Sequence, residues 1–241
     1  SYSADAAEIN FNAAKVLQGR PSAMADNEFV FRIEDAGWRA NNTQGEWTVD
    51  STNPMPADSA EDGVNTRGDI EFGTISFTHD NVGKTYRYAI TEVQPTEDGT
   101  VDGTPLEGAE KNDVGQWVYR GVTYDNSVKY VTAEVTSSQI EDPNNSGQYI
   151  EAISVTTSGE ATWDDESEAF VGDAIFTNTY ASSQTISGAD SFAVEKILNG
   201  RDEWTTNDIF TFTLTGSEGA PMPDGSDGNV KTIAVAADDM A

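Results

Sequence analysis

A lysine, a glutamate and an asparagine each stand in phase with apolar residues along segments that read as β-strands. In a strand, residues i, i+2 and i+4 share a face. Phe11, Ala13, Lys15 and Leu17 line up in the first such segment, and Tyr86, Tyr88, Ile90 and Glu92 in TYRYAITEV. Phe170, Ala174, Phe176, Asn178 and Tyr180 line up in the segment that closes the first repeat. Lysine and glutamate are almost never fully buried unless paired. The three polar side chains are therefore expected to meet inside the fold.

Two chemistries are open to such a trio. The first is a buried Lys–Glu ion pair whose hydrogen bonds the asparagine completes, an arrangement that often stabilises little because desolvation offsets the Coulomb gain. The second uses the same burial as chemistry. Desolvation lowers the pKa of a lysine and raises that of a glutamate, so a neutral Lys15 amine becomes a nucleophile. A protonated Glu92 can hydrogen-bond the Asn178 side-chain carbonyl and pass a proton to departing ammonia. The fold supplies proximity, worth roughly 7–11 kcal/mol of barrier. The product is a Lys–Asn isopeptide amide, formed once per molecule, so the chain is not read as an enzyme. Spacing alone leaves both chemistries standing.

The elements that must carry these residues are almost all strands. Short alternating runs of Val, Ile, Thr, Tyr and Phe, bounded by Gly, Asn, Asp and Pro clusters, give the pattern of an all-β sandwich or barrel. Strands are expected near 8–17, 28–34, 70–78, 85–94, 116–124, 128–137, 148–157 and 169–180, with loops at 35–69, 95–114, 138–147 and 159–168. The first two loops are long and are expected as excursions on the sandwich surface.

Composition narrows the partners. Among 241 residues, 13 are Lys or Arg and 42 are Asp or Glu, a formal charge of −29. Such a field repels phosphate backbones and anionic lipid, which argues against nucleic acid and membrane-surface partners. At 37% hydrophobic the chain is too apolar for a disordered acidic tail. With no cysteine, disulfides and thiolate metal sites are excluded. No run approaches the roughly 20 apolar residues of a membrane span, and the opening Ser-Tyr-Ser-Ala-Asp lacks signal-peptide character, which reads as a mature or recombinant piece.

An internal repeat sets the expected layout. One offset aligns Phe11 with Phe192, Lys15 with Lys196, Leu17 with Leu198, Gly19-Arg20 with Gly200-Arg201, and Phe29 and Phe31 with Phe210 and Phe212. Pro-Met-Pro at 54–56 recurs at 221–223. The expectation is one complete domain over 1–181, a polar linker over 182–188, and the N-terminal part of a second copy over 189–241. Lys196 then lacks a glutamate and an asparagine partner within the chain, and no bond is expected for it.

Other residues offer weaker candidate sites. His79, the single histidine, stands beside Asp80 in a turn and reads as a solvated loop residue; no triad can be built from it. The acidic stretches 223–229 and 163–166 do not match an EF-hand loop, and turn chemistry explains them better than calcium. No metal and no cofactor is called for. Trp38 and Trp47 could form a sugar or protein contact at the 35–69 loop, although burial against the sandwich fits better.

The ordered pieces AAKVLQGR, NEFVFRI, YRYAITE, GVTYDNSVKYVTAEV and AIFTNTY span the first domain end to end. Together they resemble the intramolecular isopeptide domains of Gram-positive pilins and adhesins, of the CnaB-like and streptococcal pilin-repeat type. The resemblance implies a Greek-key β-sandwich (CnaB/Ig-like) with its first and last strands bonded together. Lys15 takes the part of nucleophile, Asn178 of electrophile and Glu92 of catalytic acid, and Lys196 matches the family lysine in the second copy. It implies a stalk or shaft module of an exported cell-surface protein, anchored elsewhere in the full-length chain, with neighbouring repeats as partners. The alternative is an adhesin module that takes host glycan or protein through its long loops. Neither a Leu-Pro-x-Thr-Gly sorting signal nor a Tyr-Pro-Lys pilin motif is present in these residues.

Overall fold

The computed structural model describes residues 6–57, 61–181, 197, 199–200, 205, 207–217, 222–223 and 225–236. The chain forms two compact units, Ser1–Gln184 and Thr185–Ala241. The first is an all-β sandwich. One sheet has the order β4 (Asp69–Thr78), β1 (Ala6–Gln18), β13 (Ile175–Tyr180), β8 (Val122–Thr123), β7 (Trp117–Tyr119), β6 (Glu110–Lys111). The other has the order β10 (Tyr149–Ser158), β9 (Val128–Glu141), β5 (Lys84–Glu92), β2 (Val30–Ala40), β3 (Glu61–Gly63). A separate hairpin joins β11 (Ala161–Asp164) to β12 (Ala169–Gly172), and one 3-10 turn covers His79–Asn81. In the second unit β14 (Ile209–Thr215) pairs antiparallel with β15 (Val230–Ala236).

The alternation read from the sequence decides which side chains face inward. Along β5 every second residue from Tyr86 to Glu92 is buried. The two inner faces interlock through aromatic pairs: Phe11 with Tyr88 at 5.2 Å between ring centroids, Phe31 with Phe176 at 5.0 Å, and Phe77 with Tyr86 at 5.5 Å. Such pairs add about 0.5–1.5 kcal/mol each beyond the area they bury. The tyrosines keep their hydroxyls satisfied at the core's edge. Tyr88 donates to the Pro54 carbonyl at 2.7 Å, and Tyr86 accepts from Asn81 Nδ2 at 2.8 Å.

Several expected boundaries move. The strand expected over 116–124 is two strands, because Arg120 and Gly121 both adopt positive φ, 51° and 79°. Two successive left-handed residues make the two-residue reversal of a tight hairpin, and Tyr119 pairs with Val122. The strand expected over 169–180 breaks after Gly172, where φ is 123° and a Cβ would lie 2.1 Å from the Glu160 carbonyl oxygen. The expected loop 35–69 begins only after Ala40. β2 continues through a bulge between Asp35 and Trp38, where Gly37 takes φ 96°, and β3 lies inside the expected loop. The rest of that excursion is tied down by Asn53, which is buried and donates its amide to the Gly37 and Arg87 carbonyls at 3.2 and 2.8 Å.

Candidate functional site

β1 and β13 are neighbours and run parallel, with Lys15 opposite Phe176 and Leu17 opposite Asn178. Asn178 therefore follows Phe176 on the same face, one inward step beyond the residue that Lys15 faces. Glu92 reaches them from the opposite sheet, at the end of β5, where it pairs with Phe31 of β2. The Lys15 backbone is fixed from its other side as well, its N–H donating to the Gly68 carbonyl at 2.7 Å.

The three side chains meet as the sequence reading expected of them. Lys15 and Asn178 are 0% exposed and Glu92 2%. Lys15 Nζ donates to both Glu92 oxygens at 2.8 Å. Asn178 Nδ2 donates to Glu92 Oε1, also at 2.8 Å. Both nitrogens thus share one carboxylate oxygen. Aromatic rings form the walls, with Lys15 Nζ 4.8 Å from the centroid of Phe29 and 5.5 Å from that of Phe31.

Burial drives both ionisable groups toward their neutral forms. It pushes the Lys15 ammonium from 10.5 down to about 8, against the opposing pull of the Glu92 charge and hydrogen bond. It pushes the Glu92 carboxyl from 4.5 up to about 6, against Lys15 and the bond from Asn178. The gap a proton must cross from ammonium to carboxylate is far narrower than between the free groups. A neutral amine beside a neutral acid is an accessible state of this pair.

One contact differs from the expectation. The Asn178 carbonyl does not meet Glu92; Oδ1 accepts from the backbone N–H of Asp125 at 2.7 Å. A backbone N–H can only donate, so it fixes which end of the amide it meets. The amide nitrogen is then the end that faces Glu92. Two residues to which the sequence reading gave no role build this contact. The Asp125 carboxylate accepts from the Thr177 N–H at 2.9 Å and from the Ser127 N–H at 2.8 Å. Burial alone would raise that carboxyl, but the bonds it accepts hold it below the ordinary range. Gln94, 3% exposed, donates Nε2 to the Glu92 carbonyl at 3.0 Å and to the Asp125 carbonyl at 2.9 Å. Gln94 continues the inward phase of residues 86–92, and Asp125 with Ser127 is an Asx-turn spacing, so both carried a sequence signal.

The remaining candidates lie elsewhere. His79 sits in the 3-10 turn, its Nδ1 3.9 Å from Glu151. Trp38 packs against the core and donates Nε1 to Asp50 at 3.1 Å. Trp47 is half-buried, with the guanidinium carbons of Arg39 and Arg87 4.4 and 4.6 Å from its ring. Lys196 lies outside the described residues.

Residues 11–181 match a family described as the Spy0128-like isopeptide containing domain, FctA. The chain belongs to that family. The matched span opens at the head of the Lys15 face and ends just past Asn178, so all three residues of the trio fall inside it. Among solved structures, the chain is similar to one described as the major pilin protein (T-13) from Streptococcus pyogenes. That similarity is at 15% identity and a TM-score of 0.27, over 97% of this chain and 72% of the other. No curated protein matches. Among the described residues, no helix is long and apolar enough to cross a membrane.

Proposed function

We propose that the first unit is a load-bearing module of a cell-surface stalk or pilus shaft, closed by an autocatalytic amide between Lys15 and Asn178. The observation that carries this reading is the single carboxylate oxygen of Glu92, which contacts both the attacking and the departing nitrogen in a dry, aromatic-walled interior. Membership of an isopeptide-containing family supports the same chemistry.

The step balances within the trio. A proton passes from the Lys15 ammonium to Glu92, leaving a neutral amine. The Nζ lone pair attacks Asn178 Cγ, forming the C–N bond and placing negative charge on Oδ1. Glu92 gives its proton to Nδ2, the Cγ–Nδ2 bond breaks as the carbonyl re-forms, and ammonia leaves. The second proton on the former amine nitrogen returns to the carboxylate, and the amide N–H that remains is neutral. The carboxyl acts as a shuttle, and the strand pairing holds the reactants in place. No water or cofactor takes part.

The benefit suits a chain without cysteine. In loop-entropy accounting, a cross-link closing about a hundred residues stabilises by about 4–5 kcal/mol. The partners on this reading are neighbouring modules of the same surface protein, and the surface charge keeps such an assembly soluble.

Intact mass under denaturing conditions tests it. The chain should be lighter than its sequence by one ammonia, and Lys15→Met, Asn178→Ala or Glu92→Gln should restore the full mass. A wild-type chain at full mass rejects the bond.

A further inference from the structure

We infer that the backbone N–H of Asp125 is the oxyanion donor of this cross-linking reaction, and that the Asp125 carboxylate and Gln94 are the positioning residues that aim it. The inference rests on the proposed Lys15–Asn178 chemistry and adds residues that chemistry does not otherwise use. When Nζ attacks Cγ, the charge develops on Oδ1, and Oδ1 is the atom the Asp125 N–H already touches at 2.7 Å. Glu92 cannot serve there, since its oxygens face the two nitrogens. Without a second donor the tetrahedral oxyanion would form in a site walled by phenylalanine rings. A fixed N–H in a water-poor site needs no reorganisation as the charge appears, which makes it effective.

The donor is held from both sides. The Asp125 carboxylate accepts from the N–H of Thr177, the residue preceding the electrophile, so one residue clamps β13 through its side chain while its own N–H points at the Asn178 carbonyl. Gln94 ties the carbonyls of Glu92 and Asp125 together through one amide nitrogen, coupling the proton shuttle to the donor. Its Oε1 is buried and has no hydrogen-bond partner among the described residues. Leaving a buried acceptor unsatisfied costs free energy. The hydrogen bonds of this side chain are those that Nε2 makes, to the Glu92 and Asp125 carbonyls.

The test is the rate of ammonia loss, followed by intact mass after cell-free synthesis quenched at timed intervals, for wild type, Asp125→Ala, Asp125→Asn and Gln94→Ala. Deleting one oxyanion donor costs about 100- to 1000-fold in enzymes that use such a donor. Here the donor is misaimed rather than deleted, so Asp125→Ala and Gln94→Ala should each slow bonding by roughly tenfold or more. Asp125→Asn keeps one acceptor, for the N–H of Thr177 or of Ser127 but not for both, and should recover part of the rate that Asp125→Ala loses. Near-UV circular dichroism of each variant in the non-bonding Glu92→Gln background reports whether the core still packs. A slowed Asp125→Ala with a native spectrum and rescue by Asn supports the assignment. Wild-type rates in Asp125→Ala, equal slowing by Ala and Asn, or slowing only where the spectrum collapses overturns it. A wild-type chain that never loses ammonia overturns the cross-link itself, which is a separate result.

Discussion

Lys15 and Phe176 sit directly opposite one another on parallel first and last strands, which brings Asn178 into the same inward row. A parallel pair of terminal strands has a mechanical consequence. Tension enters β1 from its N-terminal end and leaves β13 from its C-terminal end, so it shears the two strands past each other. An amide from Lys15 to Asn178 would carry that load directly and relieve residues 16–177. Stretched singly, the wild-type module should give no unfolding step. Glu92→Gln should release roughly 500 Å of chain at about 3.3–3.6 Å per residue. A wild-type module that lengthens by that amount under force would show that the clasp is not in the load path.

The pH dependence of bonding follows from the paired values. The reactive form, neutral amine beside neutral acid, has the same number of protons as the ion pair. Below about 6 the pair gains a proton on Glu92 and the amine stays charged. Above about 8 the pair loses a proton and the acid is gone. The rate of ammonia loss should therefore rise and fall as a bell, highest between about 6 and about 8, with both limbs belonging to the pair rather than to either residue. A rate that climbs steadily through pH 9 would mean that Glu92 does not act as an acid.

Much of this site was legible in the sequence, because alternation is a strict geometric rule. Lys15, Glu92 and Asn178 each occupied a core-facing phase, and the structure buries all three. What alternation could not give was register between strands, and so the parallel pairing of β1 with β13. Nor could it show that the Asn178 carbonyl meets a backbone donor, since any residue except proline carries an N–H. The breaks at Arg120–Gly121 and Gly172 were hidden for a related reason. Tyr119 and Val122 flank the first, and Phe170 and Val171 lead into the second, so it is the left-handed dihedrals that mark the two breaks.

The buried pair should show its desolvation cost when bonding is blocked. Glu92→Ala leaves an ammonium among phenylalanine rings with no partner, and breaking a buried pair in this way costs about 3–5 kcal/mol. Adding Lys15→Met removes the charge, so the double variant should be more stable than the single one in urea unfolding. The sign with pH follows from the depressed Lys15 value. A group whose folded pKa lies below its unfolded value loses stability as pH falls through the folded value. The deficit of Glu92→Ala relative to the double variant should be small near pH 10 and widen toward pH 6. A deficit that stays constant over that range would mean that Lys15 titrates alike in the folded and unfolded variant, so that burial does not depress it.

Gly68 offers a test of positioning that touches none of the reacting atoms. Its φ of +114° suits glycine alone, and a Cβ there would stand 2.1 Å from the Lys15 carbonyl oxygen and 3.0 Å from the Phe170 ring. The same residue's carbonyl accepts the Lys15 N–H at 2.7 Å. Gly68→Ala must therefore move the β1 backbone at Lys15, and strain of this kind costs about 1–3 kcal/mol. Part of the cost should appear as lost stability and part as slower bonding, because displacements near 1 Å can cost about 100-fold where proximity drives the reaction. Timed intact-mass measurements on Gly68→Ala should show unbonded chain persisting after wild type has finished, while Gly73→Ala, which meets nothing within 4 Å despite its φ of +80°, bonds at close to the wild-type rate. Equal rates for the two variants would show that the backbone approach at Gly68 does not set the reach of Lys15.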